Sequence, residues 1–335
     1  MAPYHLDLAH IFGRGPHGNA STAATAAAAA AVGAIACLFV SSVARGGIDH
    51  AIRPALLLSP PRSNDGPYPT DLYPGAKDLE TPLGRIRYYD IGPRDGKKLL
   101  LVHGISTPTP CWSKLIPKLV EQGYRVLCFD LLGRGYSDAP LVPQDVSLFV
   151  SQILFVLGDV PDFDRFDLAG MSLGGAIVSQ FAHYFPGRVR RLVLICPAGG
   201  TPRKHLGLAR RMAFSRLMPV SVVRLLLGAV NILPKPPKGS VVHWQSENHA
   251  GYQYSFISSL QCSPVFDSGE VHEKVVQSFG KRCVAIWGDA DDIVPLATKR
   301  YFGPGLEVKV IPQGNHWIVL THPDLVAQHM LEFLA

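Results

Sequence analysis

Short apolar runs alternate with segments of helical hydrophobic period along most of the chain after residue 83. The apolar runs predict strands at 85–91, 98–102, 124–129, 165–169, 189–195, 283–287 and 306–311. The amphipathic segments predict helices at 112–122, 146–157, 176–185 and 324–334. Strands that alternate with helices in this way indicate an α/β fold, in which a mostly parallel central sheet carries helices on both faces.

The alternation stops after Cys196 and resumes about 80 residues later, at residue 283. An insertion of this length between two strands predicts a helical lid at about 198–280. Because the insertion begins at the end of a strand, we expect it over the carboxyl ends of the sheet, where open α/β folds bind their ligands. The folded domain is therefore predicted to span 83–335, with the lid inserted in it.

The first 47 residues form a leader of different composition. Residues 22–44 carry no charge, and 23 uncharged residues are enough to span a bilayer as a helix, although nearly half of them are alanine. The favoured interpretation is a single-pass transmembrane anchor. A secreted protein with a cleaved signal peptide is the alternative, because Ser42 and Ala44 fit a small-x-small cleavage pattern.

Basic residues are placed unevenly on the two sides of this uncharged run. Arg14 precedes it, whereas Arg45, Arg53 and Arg62 follow it. This imbalance favours a membrane-associated protein whose catalytic part lies on the cytoplasmic side. Residues 48–82 are rich in proline and polar turn residues, and they predict a linker between the leader and the folded domain.

Positive charge is concentrated in the predicted lid. The chain has a net charge of +6, and residues 201–240 contain eight Lys and Arg residues and no Asp or Glu. Nucleic acid is not the expected partner, because the chain has no zinc-ligand spacing, no interleaved aromatic and basic residues and no recognisable nucleic-acid-binding module. Residues 220–233 are almost wholly apolar. We therefore expect the lid to meet a membrane surface; an apolar wall over a binding site is the alternative.

The stretch "FDLAGMSLGGAIVSQFAHYF" contains a candidate nucleophile, Ser172. An apolar run precedes it and a helical pattern follows it, so this serine lies on a strand-to-helix turn. Gly170, Ser172 and Gly174 match G-x-S-x-G, a pattern in which small neighbours let the chain turn sharply and expose the hydroxyl group. A glycine-rich turn without chemistry is the alternative, so the interpretation depends on partners elsewhere in the chain.

A serine nucleophile needs a base that takes its proton and a carboxylate that holds the base in the right tautomer. Asp291 in "IWGDADDIVP" and His316 in "IPQGNHWIVLTHPD" both follow predicted strands, and they give the chain order Ser, Asp, His. Asp289 and Asp292 are the rival carboxylates. His322 is the rival base, but it precedes a proline and is typical of a helix start.

Five motifs, in this order, resemble the α/β-hydrolase superfamily over about 83–334: "LVHGIS", "FDLLGRGYSDAP", "GMSLGG", "IWGDADDIVP" and "GNHW". The family's acid stands three residues after the glycine that ends its strand, so counting from Gly288 the resemblance favours Asp291. The sequence departs from the family at Asn315, since glycine more often precedes the histidine directly; here Gly314 lies one place earlier. The resemblance implies the α/β-hydrolase fold and a Ser–His–Asp triad.

The same resemblance assigns the oxyanion hole to the backbone N–H groups of Ile105 and Leu173. It gives His103, Asp130 and the stretch "GRGYSD" the role of shaping loops, and it leaves Ser106 as an optional hydroxyl donor. No cofactor and no metal are expected, because the chain has neither a dinucleotide-binding fingerprint nor a metal-ligand constellation.

Serine at position 172, where epoxide hydrolases and haloalkane dehalogenases of the family have aspartate, implies acyl transfer. The apolar lid favours small hydrophobic esters as substrates, and lid and anchor together are similar to membrane-anchored, monoacylglycerol-lipase-like members. Two alternatives stay open. One is another reaction of the same triad, such as thioester hydrolysis, acyl transfer to an acceptor or C–C bond hydrolysis; the other is a non-catalytic binding protein of the same fold.

Overall fold

The computed structural model describes residues 57–61, 68–230, 236 and 238–335. The predicted leader at 1–47, with its candidate anchor at 22–44, lies outside the described residues, as does much of the predicted linker. Within the described ranges, none of the helices combines the length and the apolarity needed to cross a bilayer.

An eight-stranded, mostly parallel sheet forms the centre of the domain, as predicted. Including a separate two-stranded ribbon, the strands are β1 (Leu57–Leu58), β2 (Ala76–Thr81), β3 (Gly84–Ile91), β4 (Lys97–Val102), β5 (Tyr124–Phe129), β6 (Ala139–Pro140), β7 (Phe166–Met171), β8 (Val189–Ile195), β9 (Cys283–Gly288) and β10 (Glu307–Ile311). The sheet order is β10-β9-β8-β7-β4-β5-β3-β2, and only the pairs β2–β3 and β3–β5 are antiparallel. β1 pairs with β6 in the ribbon.

The helices are α1 (Ile116–Glu121), α2 (Val146–Asp159), α3 (Leu173–Tyr184), α4 (Leu208–Ala213), α5 (Val220–Val230), α6 (Val241–Asn248), α7 (Tyr252–Cys262), α8 (Gly269–Phe279), α9 (Ile318–Thr321) and α10 (Pro323–Leu334). Every residue of β5, β7 and β9 is buried, because helices cover both faces of the sheet there. This is the α/β-hydrolase architecture that the resemblance implies.

Two predicted boundaries differ from the structure near the start of the domain. The linker prediction to residue 82 is wrong at its end, since β2 pairs with β3 along its whole length and forms the edge of the sheet. The predicted helix at 112–122 is shorter: a 3-10 turn at Thr109–Trp112 precedes α1. Pro117, in the first turn of α1, has no N–H group to donate and its ring would clash with a preceding helical turn, so the helix begins beside it.

The inserted helical region is real but shorter than the predicted lid at 198–280. α8 belongs to the layer that covers the sheet, because His272 contacts Ser179 of α3 through Nδ1 and Oγ at 3.0 Å and Ala198 O through Nε2 at 3.0 Å. We call residues 201–268 the cap, α4 and α5 with the segment between them the outer cap, and α6 and α7 the inner cap. Val223 of the outer cap is buried against Ile257 of the inner cap in a small apolar cluster of their own.

Polar contacts tie the inner cap to the sheet loops. The Gln245 side chain accepts from Gly135 N at 2.7 Å and donates to Ser106 O at 2.9 Å. His249 Nε2 contacts Ser137 O at 3.0 Å. These groups are buried, and a buried polar group that loses its partner is costly. The inner cap is therefore fixed over the carboxyl ends of the strands.

Candidate active site

Ser172 occupies a strained turn between β7 and α3. Its backbone has φ 55° and ψ −120°, outside the regions that side-chain-bearing residues usually adopt. The turn is tight enough that a Cβ on Gly170 would lie 2.3 Å from Gly174 O, and one on Gly174 would lie 2.1 Å from Val102 O. The flanking glycines are therefore required by space, and the strain presents the Ser172 side chain at the end of β7.

Asp291 and His316, predicted from loops far apart in sequence, are in contact. His316 Nδ1 lies 2.8 Å from Asp291 Oδ2, and both residues are buried. The other carboxylate oxygen, Oδ1, accepts from the backbone N–H groups of Ile293 and Val294 at 3.0 and 2.8 Å. The carboxylate is thus held on one side by the turn that carries it, which leaves Oδ2 to fix the orientation of the imidazole.

The rival residues do not reach this pair. Asp289 and Asp292 are exposed, and neither side chain has a hydrogen-bond partner among the described residues. His322 contacts the hydroxyl of the exposed Thr321 through Nδ1 at 2.9 Å. Of the candidate acids and bases, the structure brings together only Asp291 and His316.

The loops that carry this pair approach each other at two glycines. A Cβ on Gly288 would lie 2.0 Å from Gly314 O, and Ala290 N donates to that same oxygen at 3.0 Å. Asn315, which stands where the family more often has glycine, accepts from Trp317 N through Oδ1 at 2.9 Å and closes a local turn. The glycine is one residue earlier because that is where the two backbones touch.

The loop after β4 supplies the predicted oxyanion donor on Ile105. Nδ1 of His103 donates to Gly104 O at 2.8 Å, and Nε2 accepts from Leu131 N at 2.8 Å. In a trans peptide the N–H points away from the C=O, so this bond fixes the direction of the Ile105 N–H. Burial lowers the pKa of His103 to about 3, which keeps the ring neutral. His103 shapes the loop, as the resemblance implies.

Asp130 also acts on loops. Its buried carboxylate accepts from Thr109 N and Oγ1 at 2.9 and 2.8 Å and from Tyr136 N at 3.0 Å. Tyr68 donates its hydroxyl to the same carboxylate at 3.3 Å. All of these bonds hold segments that lead into the site, and the Asp130 carboxylate does not line the cavity beside Ser172.

A small cavity of about 40 Å³ lies beside Ser172 and His316. Gly104, Ile105 and Ser106 line it, so the loop predicted to form the oxyanion hole faces Ser172. A Cβ on Gly104 would lie 3.3 Å from the Cβ of Ser172. The rest of the wall is mostly apolar and includes Cys111, Met171, Val265, Phe266, Ile293, Val294 and Trp317. Leu173 is fully buried behind the turn and offers only its backbone.

Comparison with known proteins shows the family to which the chain belongs. The family described as the alpha/beta hydrolase family matches residues 99–329. The chain belongs to this family. A 2-hydroxy-6-oxononadienedioate/2-hydroxy-6-oxononatrienedioate hydrolase of Escherichia coli K12 is 28% identical over 272 residues, which cover 75% of this chain and 91% of that protein.

Two other known proteins are similar to this chain over different shares of its length. An uncharacterized protein of Mycobacterium tuberculosis is 33% identical over 166 residues, or 48% of this chain and 47% of that protein, so the match spans about half the length of that relative. The crystal structure of a bromoperoxidase from Bacillus anthracis has a TM-score of 0.61 at 21% identity, covering 77% of this chain and 99% of that one. The latter shows the shared fold.

Within this alpha/beta hydrolase, Arg134 of the "GRGYSD" stretch orders loops beside the site, through contacts that the sequence did not specify. Its fully buried guanidinium donates to Ile105 O at 3.1 Å and Gln144 Oε1 at 3.1 Å. It also donates to Ser255 O at 3.2 Å and Ser259 Oγ at 2.6 Å, both on the inner cap. Burial lowers the pKa of Arg134 to about 10, so it remains charged at neutral pH. Arg134 joins the oxyanion loop to the cap.

Cys196 is a residue that the sequence did not single out. It follows β8 with φ 41°, and its Sγ lies within 4.8 Å of donor atoms of both Asp291 and His316. Burial, and then the charge of Asp291, raise the pKa of Cys196 well above the ordinary value, so the thiol stays protonated. Asp291 and His316 already engage each other, at 2.8 Å. The cluster therefore fits a hydrogen-bonded triad edge better than a metal centre.

Proposed function

We propose that this alpha/beta hydrolase is a serine hydrolase that cleaves carboxylic esters of hydrophobic acyl groups. One observation carries the proposal: a serine under backbone strain shares a cavity with a histidine whose orientation is fixed by a buried carboxylate. Arrangements of this kind activate a hydroxyl group that is otherwise a weak nucleophile at neutral pH.

The proposed reaction uses only groups of this chain and water. Ser172 Oγ attacks the ester carbonyl carbon while His316 Nε2 takes its proton, and Asp291 stabilises the resulting imidazolium. The backbone N–H groups of Ile105 and Leu173 stabilise the oxyanion of the tetrahedral intermediate. The histidine then gives its proton to the leaving alcohol. Water attacks the acyl-enzyme by the same steps in the second half, and it releases the acid and regenerates Ser172.

The apolar wall of the cavity supports a hydrophobic substrate. Met171, Val265, Ile293 and Val294 surround the nucleophile, and apolar linings favour the burial of alkyl groups rather than of charged ones. The cavity is small beside the volume of a long acyl chain, so such a chain requires a wall residue to move. We expect esters of medium and long acids to be better substrates than acetate esters.

A second candidate is C–C bond hydrolysis by the same triad. The Escherichia coli relative matches three quarters of this chain, and it is named as the hydrolase of a 2-hydroxy-6-oxo dicarboxylate. Both reactions pass through attack on a carbonyl carbon and need the same oxyanion donors. They differ in the leaving group, which is an alcohol in one case and a carbanion in the other.

We also propose a membrane surface as the partner of the outer cap. Leu208, Leu217 and Leu225 are 71%, 82% and 68% exposed, although leucine is usually buried. They lie in the segment whose eight cations have no acidic residue among them. Exposed apolar side chains flanked by cations fit a surface of anionic lipid.

The anchor at residues 22–44, with a cytoplasmic catalytic domain, is proposed on the sequence pattern alone. Full-length protein is expected to sediment with membranes after washing in high salt, because a spanning helix is not displaced by ionic screening. Release by salt, or a mature chain that starts after Ala44 and is exported, would contradict this proposal.

A fluorophosphonate probe with a panel of esters tests the enzymatic proposal. The probe is expected to label the wild-type protein and not Ser172→Ala. The two proteins should unfold at the same temperature. Turnover should rise from acetate to octanoate esters, and a 2-hydroxy-6-oxo-dienoate measured in parallel decides between the two reactions. Labelling of Ser172→Ala at another residue, or equal ester turnover by that variant, would refute the assignment.

A further inference from the structure

The cap contains a second, larger concavity that the catalytic proposal does not use. An open cleft of about 560 Å³ lies between the outer cap and the end of the inner cap. Three arginines line it: Arg203, Arg211 and Arg216. The only acidic residue in its lining is Asp267. The cleft is thus basic, in contrast to the apolar cavity at Ser172.

One residue is shared by the linings of this cleft and of the catalytic cavity. Phe266 lines both spaces. It stacks on Phe214, with ring centroids 6.2 Å apart and planes at 18°, and the Arg203 guanidinium lies 5.0 Å from the centre of its ring. A molecule that displaced the Phe266 ring would therefore extend from Ser172 into the basic cleft.

The three arginines differ in the contacts that they make with the rest of the protein. Arg203 is committed to the protein, because it forms an ion pair with Asp267 at 3.1 Å and donates to Phe214 O and Gln261 O at 2.5 and 2.9 Å. Arg216 donates to Cys262 O alone, at 3.1 Å, and is exposed.

The Arg211 side chain is exposed and has no ion-pair or hydrogen-bond partner within the described part of the chain. The pair Arg203–Asp267 is neutral, so Arg211 and Arg216 leave the cleft with two positive charges that no acidic lining residue balances. This is the charge that a phosphate monoester, which carries −1.5 to −2 near neutral pH, matches. Arginine also offers paired N–H donors suited to phosphate oxygens.

We propose that the cleft binds the phosphate group of the substrate, so that the preferred ester joins an acyl chain at Ser172 to an alcohol that carries a phosphate. This inference rests on the proposed ester hydrolysis and narrows its substrate class. Phe266 moves aside when such a substrate binds. The acyl carbonyl then lies at the nucleophile, and the phosphate lies between Arg211 and Arg216.

A matched pair of substrates tests the cleft. The values of kcat/KM are measured for 1-dodecanoylglycerol and for 1-dodecanoylglycerol 3-phosphate, both below their micelle concentrations, with the wild type and with Arg211→Ala/Arg216→Ala. We expect the ratio of phosphorylated to neutral substrate to fall about tenfold or more in the double variant, mainly through KM, since each lost charged contact weakens binding of the phosphate. An equal fall for both esters would overturn the proposal.

Lys204→Ala/Arg224→Ala is the matched control, because both residues are exposed, lie in the cap outside the cleft lining and remove the same charge. The control is expected to keep the ratio within about twofold, since screened surface charges act weakly. A tenfold fall in the control as well would mean that the charge of the cap acts at long range, and the cleft would lose its assignment.

A binding measurement separates this inference from the proposed reaction. Calorimetry with 1-dodecanoylglycerol 3-phosphate compares Ser172→Ala with Ser172→Ala/Arg211→Ala/Arg216→Ala, neither of which needs to turn over. A Kd at least about tenfold weaker in the triple variant supports the cleft even when ester turnover is absent. Equal affinities, or no binding by Ser172→Ala, would overturn it even when neutral esters are hydrolysed.

Discussion

The carboxyl edge of the sheet and the outer cap differ in how their side chains are held. At the sheet edge, Asp291, His316 and His103 are buried, and each has at least one hydrogen bond that fixes its orientation. In the outer cap, Leu208 and Leu225 expose most of their surface to solvent, although apolar burial is what stabilises a helix in a protein. The side chains at the sheet edge are thus held rigidly for the proposed chemistry. Those of the outer cap are available to whatever lies outside the domain.

The two regions also differ in how their charged groups are paired. Asp291, His316, His103 and Asp130 are paired inside the protein, so that little freedom remains for them to reorganise during a reaction. The exposed arginines of the outer cap have few protein partners and act on whatever approaches. Disturbing the first region should therefore change kcat, and disturbing the second should change affinity.

The largest expected effect separates Asp291 from its neighbour. Asp291→Asn is expected to lower kcat by about 10³ to 10⁴, because the amide no longer holds the productive tautomer of His316. Asp292→Asn, one residue away and exposed, should retain most of the activity. Both are measured by steady-state kinetics on an octanoate ester; a crippled Asp292→Asn with an active Asp291→Asn would mean that the acid is wrongly assigned.

Arg134 connects the two regions, and its loss should affect both stability and turnover. Arg134→Met leaves the buried acceptors of the oxyanion loop and the inner cap without a donor, and we expect about 2–4 kcal/mol less free energy of unfolding. The kcat should fall as well, since Ile105 O is released. Urea unfolding with parallel kinetics gives both values, and Arg224→Met, on the exposed surface, is the control. An unchanged midpoint would show that the link is unimportant.

Three buried histidines make the free energy of unfolding depend on pH. Burial lowers the pKa of His103 to about 3 and of His249 and His272 to about 4. The unfolded chain therefore takes up protons first, and the free energy of unfolding should fall as the pH drops from about 6.5 towards 4, by up to about 1.4 kcal/mol per pH unit for each histidine. Above about pH 7 this contribution is fully present.

The dependence of the unfolding free energy on pH also distinguishes the cap from the sheet. His272 packs below the sheet edge and His249 holds the inner cap, so His272→Gln and His249→Gln should each remove about a third of the slope of unfolding free energy against pH. Urea unfolding at several values between pH 4.5 and 7 measures the slope. Should His249→Gln leave the slope unaltered, the cap unfolds separately from the sheet.

The smallest expected effect concerns the exposed leucines. Leu217→Ser and Leu225→Ser are each expected to weaken binding to vesicles of anionic lipid by about fivefold, since each removes part of one leucine's transfer free energy. Leu325→Ser, on α10 of the domain body, has comparable chemistry and should bind as the wild type does. Co-sedimentation with vesicles measures this, and equal losses in all three variants would disprove a specific cap surface.

The strands and the triad were predictable because they depend on local patterns. Apart from Arg190 and Arg191, the run at 189–195 is apolar, and it appears as β8 with the predicted bounds. Ser172, Asp291 and His316 each follow a strand, and parallel strands end at one edge, so topology alone brings them near each other. The choice of Asp291 over Asp292 came from the family spacing, and the structure explains it by the turn in which Oδ1 of Asp291 is held.

Other features depend on contacts between segments that carry no local signal. β2 lacks a strong apolar run, since its residues alternate between half-buried and exposed, and pairing with β3 decides its conformation. Arg134 looks like a surface residue in the sequence until carbonyl groups from three segments surround it. The cap was recognised as an interruption, but its length was overestimated because α8 has the same amphipathic pattern whether it covers the sheet or the site.

The small ribbon of β1 and β6 determines where the chain reaches the domain. Leu57 and Leu58 pair with Pro140 and Ala139, and Gly251, between the two inner-cap helices, lies against the same ribbon. The chain thus joins the catalytic body on the side of the cap. A membrane anchor at residues 22–44, as proposed above, would therefore hold the domain by its cap side.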